Sequence, residues 1–345
     1  MTHPLRVLVA GAGRAGMVHA RNFAAGVPGA TLAGVADPDH AARAAAAAEL
    51  DCPAFARPAE AVADPSVDAV VIAAPTPAHT EIATAALGAD RSVLCEKPLA
   101  RTMDEAHVIA AAEARSSGTV LMGFMRRFDE GFSRAAERVA AGDIGEPVLV
   151  RSTTRGPGLP PEWAWDIRRS GGLIAEVNSH DLDTVRHLTG QEFTAVAATG
   201  RAAKRPDIAE LYPGFVDVVA ATFDLSDGGI AQIDGACPAG YGYDARAEVY
   251  GTEGTVLVGG PSQRTAVVVR DRVVETDAVR SWRDLFAAAY RAEDTHFVCV
   301  ARGDEPPLAT VTDGLRALEA VMAVNTALGT QHAVPVAGAA DRAGT

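Results

Sequence analysis

Apolar and polar positions fall into two regimes along this chain. Over residues 1–125, compact apolar runs stand at 5–10, 31–36, 69–74, 92–95 and 119–123. Stretches of helical periodicity separate them, up to residue 25 and at 39–50, 78–87 and 103–116. Apolar strands alternating with helices of this length predict parallel pairing with helices on both faces of the sheet. Right-handed crossovers then give an open, doubly wound α/β architecture. Beyond residue 126 the rhythm changes. A helix at 129–141 and a strand at 148–153 lead into an irregular Pro/Gly stretch at 156–161, and a helix at 173–188 follows. Successive strands then run from 194 to 275, with turns at Ser226-Asp227-Gly228 and Thr252-Glu253-Gly254. The runs 216–223 and 230–234 read as a hairpin. Helices at 282–301 and 312–328 close the pattern, and the small, polar tail after Gly329 is expected to fray. The second regime predicts an α+β domain with a large, mostly antiparallel open sheet. The expected division is 1–125 and 126–345, with the last helix packing back on the first domain.

Composition narrows the function classes. The 345 residues are 48% hydrophobic, 22% charged and 5% aromatic, which is globular composition. A formal charge of −13 argues against nucleic-acid partners and against an anionic membrane surface. No apolar run approaches the roughly 18–20 residues of a membrane span. Cys52, Cys95, Cys237 and Cys299 are scattered, without the close spacing of a zinc site, and read as reduced thiols of a cytoplasmic protein. No metal site is expected. Of the 31 basic residues only Lys97 and Lys204 are lysine. Such a bias makes each lysine a residue to explain.

Gly11-Ala12-Gly13-Arg14-Ala15-Gly16 follows the first strand and opens the first helix. In that context the first glycine permits a tight turn and the second lets a diphosphate approach the backbone. The third allows helix and strand to pack closely, and the helix N-terminus faces the phosphates. This is the fingerprint of a dinucleotide-binding Rossmann domain. Asp37 ends the second strand about 20 residues later, where a carboxylate accepts from both ribose hydroxyls and repels a 2′-phosphate, so NAD is favoured over NADP. Ala74, Pro75 and Thr76 end the third strand at its carboxyl edge and should border the cofactor. His79 follows them, either on the cofactor side or as a plain residue at a helix start. Glu96 and Lys97 follow the fourth strand at the same edge. Arginine does not readily lose a proton, whereas lysine presents a compact ammonium able to point at one substrate oxygen.

Four segments occur in order: Gly11 to Gly16, Glu96-Lys97-Pro98, Arg126-Arg127-Phe128-Asp129, and Gly171-Gly172 followed by His180-Asp181-Leu182-Asp183. Together they resemble the Gfo/Idh/MocA oxidoreductase family, along nearly the whole chain to Asp313-Gly314. The segments around Arg127 and Tyr241-Gly242-Tyr243-Asp244 are similar to the inositol 2-dehydrogenase branch. The resemblance implies a Rossmann domain followed by a substrate domain with an open sheet. It implies that Lys97 hydrogen-bonds the reacting hydroxyl and that His180 is the general base, with the carboxylate four residues earlier orienting the pair. That carboxylate is Glu176, where the inositol branch usually carries aspartate. An open C-terminal sheet of this kind buries its exposed face against another subunit, so a dimer or tetramer is expected.

The residues themselves agree with the transfer. Glu176 and His180 stand at i and i+4, on one helix face, and a neighbouring carboxylate raises imidazole basicity. Arg127, Trp165, Asn178, Asp183 and Tyr243 are the candidate substrate contacts; pairing or core packing would explain Arg127, Trp165 and Tyr243 equally well. The expected activity is NAD-dependent oxidation of a secondary hydroxyl of a cyclitol or sugar. The alternatives are a sugar or aminocyclitol dehydrogenase or ketoreductase of secondary metabolism, a lyase-type or glycosidase-type member that uses NAD transiently, and an NAD-sensing regulator on the same fold.

Overall fold

The five apolar runs of the N-terminal part all become strands of one sheet. In the computed structural model, which describes residues 3–270, 272–330 and 332–338, they are β1 (Leu5–Ala10), β2 (Ala30–Ala36), β4 (Ala69–Ile72), β5 (Ser92–Glu96) and β6 (Val120–Gly123). A two-residue strand, β3 (Ala54–Phe55), adds an edge too short to show a period in the sequence. The order is β3-β2-β1-β4-β5-β6 and every pair is parallel. Val7 to Ala10 and all of β4 are fully buried, as expected for central strands covered on both faces. The strand order reverses between β1 and β4, and ligands of such sheets sit outside the carboxyl ends at that reversal. Side chains fix the helix starts: Asp39 accepts from the Ala42 N–H before His40–Leu50, and Thr102 accepts from Glu105 N–H before Met103–Glu113.

The chain divides into two units, and the first is not one continuous stretch. It runs to Phe128 and is completed by Ala287–Arg316; the second comprises Asp129–Phe286 and the chain from Ala317 onward. Within the first unit Gly314 of the last helix, Val311–Thr330, lies against Leu99 and Met122.

In the second unit β7 (Pro147–Arg155), β8 (Phe193–Arg201), β9 (Val218–Leu225), β10 (Ile230–Ala236), β11 (Asp244–Gly251) and β12 (Thr255–Gly259) form one sheet, while β13 (Ser262–Arg270) and β14 (Val273–Ala278) form a two-stranded sheet. Val334–Pro335, here β15, extends the sheet beside β8 in the order β12-β11-β7-β10-β9-β8-β15. All pairs are antiparallel except β7 with β10. The fraying expected for the tail falls on 339–345, which lie outside the described residues. Val219, Ala221, Phe223 and Leu225 alternate inward along β9, and Val218, Ala220, Thr222 and Asp224 take the opposite face. That face carries a broad depression of about 1230 Å³ lined by Arg151, Thr222, Gln232, Asp234, Arg246 and Glu248 among others.

Asp129, the last residue of the Arg126-Arg127-Phe128-Asp129 segment, caps the helix Glu130–Ala140 by accepting from the Gly131 and Phe132 N–H groups. The single helix expected at 173–188 is two elements: a π-helical turn, Ile174–Asn178, runs into an α-helix, Ser179–Thr189. The helix expected at 282–301 is broken at Phe286 into Trp282–Leu285 and Ala287–Arg302.

Candidate functional site

In the first unit, the glycine loop leaves β1 with Gly11 at φ +112°, a conformation that a side chain would strain. The other two glycines differ in kind. A Cβ on Gly16 would lie 1.8 Å from the Gly11 carbonyl oxygen, whereas one on Gly13 would meet nothing within 4 Å. The loop is therefore closed where helix and strand pack and open where a diphosphate would approach. No side chain caps the helix Gly16–Ala24 at Ala15, and Gly13 and Arg14 are exposed beside it. Its positive N-terminal end is suited to an anion.

Asp37 is tied to the loop: its Oδ2 accepts from the Ala12 N–H at 2.8 Å and its Oδ1 from the Asp39 N–H at 2.8 Å. An ionised carboxylate offers about four lone-pair sites, so these bonds orient the group and leave acceptor capacity for ribose hydroxyls. The loop after β4 enters at the same edge, where the Ala73 N–H donates to the Ala10 carbonyl. The glycine loop, Asp37 and the β4 loop thus converge at the carboxyl ends of β1, β2 and β4, and these residues fit a dinucleotide.

Two residues at the cofactor edge, His79 and Glu96, have buried side chains. His79 is buried, with Nδ1 at 2.9 Å from the Pro98 carbonyl and Nε2 at 2.9 Å from that of Ala74. Burial lowers the pKa of its imidazole, with the carbonyls acting in the opposite direction. It is a strut between the loops after β4 and β5. The Glu96 side chain is also buried: Oε1 lies 3.4 Å from His19 Nε2, and Oε2 accepts from the Lys97 N–H at 3.2 Å. Lys97 itself is half-buried at the end of β5. Arg127, open in the sequence between substrate contact and pairing, forms structural pairs. Its guanidinium donates to the Leu308 carbonyl at 2.6 Å and pairs with Asp313 at 3.0 Å, which locks the segment after β6 to Leu308 and the start of the last helix.

In the second unit, Glu176 lies half-buried on the π turn and His180 is buried on the first α-helical turn after it. π turns inside helices recur at functional sites because they re-aim the side chains that follow. This one is held by a buried network. Asp181 Oδ1 accepts from the Ser152 hydroxyl at 2.6 Å, and Oδ2 accepts from the Asn178 amide at 2.7 Å. The same amide reaches the Asp234 carbonyl at 3.1 Å. Asn178 is completely buried, and its amide holds this network together. Asp183 is also buried on this helix. Trp165 donates its indole N–H to the Pro160 carbonyl at 3.0 Å and meets Tyr212 edge-on, at 6.0 Å between ring centroids. Tyr243 is a core residue, buried against Phe286 in a T-shaped contact at 6.3 Å. Glu176, Asn178, His180 and Asp183 thus share one helical segment, while Trp165 and Tyr243 are engaged elsewhere in the unit.

The sequence reading missed His19. It occupies the buried stripe Gly16, His19, Ala20, Phe23 of the first helix, and a histidine on an apolar stripe was the available signal. Among the described residues, no group of three or more His, Cys, Asp or Glu could hold a metal ion, and no helix is long and apolar enough to cross a membrane.

Comparison with known proteins adds to this geometry. Residues 5–124 match the model of an oxidoreductase family with an NAD-binding Rossmann fold, and residues 132–257 match the GFO/IDH/MocA C-terminal domain. The scyllo-inositol 2-dehydrogenase (NAD(+)) of Bacillus subtilis (strain 168) is 33% identical over 338 residues, which cover 97% of each chain. The myo-inositol 2-dehydrogenase of Thermotoga maritima is 30% identical over 321 residues, 91% of this chain and 93% of that one. The crystal structure of scyllo-inositol dehydrogenase from Lactobacillus casei with bound NAD(H) and scyllo-inositol matches with a TM-score of 0.89 at 28% identity, covering 97% of this chain and 100% of that one.

Proposed function

The chain belongs to the Gfo/Idh/MocA oxidoreductase family and is an NAD-dependent oxidoreductase, and from that premise we propose that it oxidises a secondary hydroxyl of an inositol-like cyclitol to the ketone. The observation that carries this reading is the presence of Lys97 at the carboxyl end of β5 together with Glu176 and His180 on one helical segment, in a chain whose relatives are named as scyllo- and myo-inositol dehydrogenases. His180 takes the hydroxyl proton. Lys97 donates a hydrogen bond to the same oxygen and stabilises the negative charge that develops on it, a contribution that often dominates such barriers. Glu176 orients the imidazole. The residues at 11–16 hold the diphosphate and Asp37 the adenosine ribose of the dinucleotide, which when bound supplies the hydride acceptor.

Glu176 supports a second reading. Its side chain is one methylene longer than the aspartate usual in the inositol branch, which favours a related sugar or aminocyclitol dehydrogenase or ketoreductase. The open face of the seven-stranded sheet, with Leu257 exposed on it beside charged residues, supports assembly into a dimer or tetramer, since exposed apolar surface marks an interface and most oligomers are symmetric. The four free cysteines support a reducing, cytoplasmic setting.

The test is NADH formation from NAD with a panel of inositols, aminocyclitols and sugars, and NADH consumption with the matching ketones. Lys97→Arg and His180→Ala are expected to lose on the order of 10²–10⁴-fold in kcat while NAD still binds. Near-normal turnover in either variant overturns the assigned roles. Turnover confined to sugars or aminocyclitols selects the second reading.

A further inference from the structure

The first unit contains a buried polar chain that the mechanism above does not use. His19 is wholly buried on the helix Gly16–Ala24. Its Nδ1 lies 2.6 Å from Asp294 Oδ1, on the helix Ala287–Arg302, and its Nε2 lies 3.4 Å from Glu96 Oε1. Asn22, one turn further along the first helix, donates to the other Asp294 oxygen at 2.7 Å. Tyr290 meets the imidazole edge-on, 5.3 Å between centroids at 80°, and Asp294 is as deeply buried as His19. Ionised carboxylates only accept hydrogen bonds, so an imidazole between two of them satisfies both only with a hydrogen on each nitrogen. A buried charge of this kind is retained where its partners are fixed around it.

The chain ends at Lys97, since the Glu96 oxygen that does not face His19 accepts from the Lys97 N–H at 3.2 Å. On the β6 side Gly123 packs directly against the Glu96 backbone, where a Cβ would lie 2.9 Å from the Glu96 Cα. The Glu96 carboxylate is thus held from two sides, by His19 at Oε1 and by the Lys97 N–H at Oε2. We infer that His19 is a positioning residue: as an imidazolium anchored on Asp294, it fixes the Glu96 carboxylate and through it the backbone from which Lys97 reaches the reacting hydroxyl. Burial alone would lower the imidazole pKa, but Asp294 and Glu96 outweigh it and hold the value well above that of an ordinary histidine, which agrees with the geometry. The inference rests on the role given to Lys97 under Proposed function.

The experiment has two arms. In the enzyme without cofactor, ¹⁵N NMR of the imidazole signal that disappears in His19→Gln reads its protonation; both nitrogens carrying hydrogens at neutral pH is the expected result, and a neutral tautomer overturns the inference. In the second arm, kcat, substrate KM and NAD Kd are measured for His19→Gln, Glu96→Gln and the double variant. A misplaced catalytic group costs on the order of 10–100-fold, so each single variant is expected to lose that much in kcat. NAD Kd should stay within about threefold, because backbone N–H groups hold the diphosphate. The double variant should be little worse than either single one, as residues acting through one bond are not additive. Fully additive losses, or losses that fall on NAD Kd and not on kcat, overturn the inference. If Lys97→Ala retains turnover, the functional reading falls first and the positioning role with it. If Lys97→Ala is inactive and the losses are additive, only the positioning role falls.

Discussion

The loop that fits a dinucleotide and the helical segment proposed to take the hydroxyl proton are built from different materials. The first is made of backbone: a glycine loop, a helix end without a side-chain cap and one carboxylate tied to the loop by the Ala12 N–H. The second is made of side chains on a helix that begins with a π turn, held by the Ser152, Asp181 and Asn178 network. Backbone geometry follows from local residue types, and a motif of six residues conveys it. Side-chain geometry depends on the phase of a helix and on partners far away in sequence. The first kind of site should therefore fail through steric change at single glycines, and the second through loss of buried hydrogen bonds.

The largest expected effect is on the backbone-built side. Gly16→Ala places a methyl group 1.8 Å from the Gly11 carbonyl, against backbone that cannot swing aside. NAD binding, followed by the quenching of protein fluorescence, should be abolished; retained affinity would break the contrast between the two sides. Next comes Asp181→Asn on the other side, which replaces two charge-assisted bonds by neutral ones and, wherever its amide faces the Asn178 amide, sets donor against donor. Leaving such a group unsatisfied costs about 1–3 kcal/mol. Thermal unfolding should shift down and kcat should fall while NAD Kd is unchanged, and an equal loss in NAD affinity would show that the two sides are not separable. Asp37→Ser is a smaller change. It should weaken NAD by about tenfold, the equivalent of one charge-assisted hydrogen bond. It should also improve NADP, because the Arg43 guanidinium already donates to the Asp37 and Pro38 carbonyls at that strand end. An unchanged preference between the two cofactors would remove the ribose argument.

The smallest effect is a pH dependence. The folded pKa of His19 is raised above its unfolded value of about 6.5, so the fold binds a proton that the unfolded chain releases. That contribution to stability is fully present below pH ~6.5 and is lost as pH rises through the raised folded value. Urea midpoints measured across that window should decline with pH in the wild type. His19→Gln should flatten the decline, and an equal slope in both proteins would show that His19 does not titrate as described.

Legibility in the sequence followed the same division. The glycine loop, Asp37 and the order of the first strands were readable because each depends on neighbours in the chain. The hairpin of β9 and β10 was readable from its turn at Ser226-Asp227-Gly228. His79, Glu96, Arg127, Asn178 and Tyr243 were recognised as residues to watch, but their side chains turn to structural partners, and no local pattern discloses a partner at Asp313 or Phe286. His19 was overlooked for the same reason, since its main partner, Asp294, is 275 positions away. The π turn escaped because 3.6-residue periodicity does not distinguish it from the α-helix that it opens.

By itself, then, the sequence determined the doubly wound sheet and the dinucleotide loop, since alternation and glycine placement are local properties, while the roles proposed for Lys97 and His180 came from resemblance to a family. Only the tertiary structure decided which polar side chains face inward as struts. It also decided that Ala287–Arg316 completes the first unit and that Glu96 is held by an imidazole from another helix. These are outcomes of burial: a polar group taken out of water must find a partner, and the folded chain, rather than its order of residues, determines which partner is within reach.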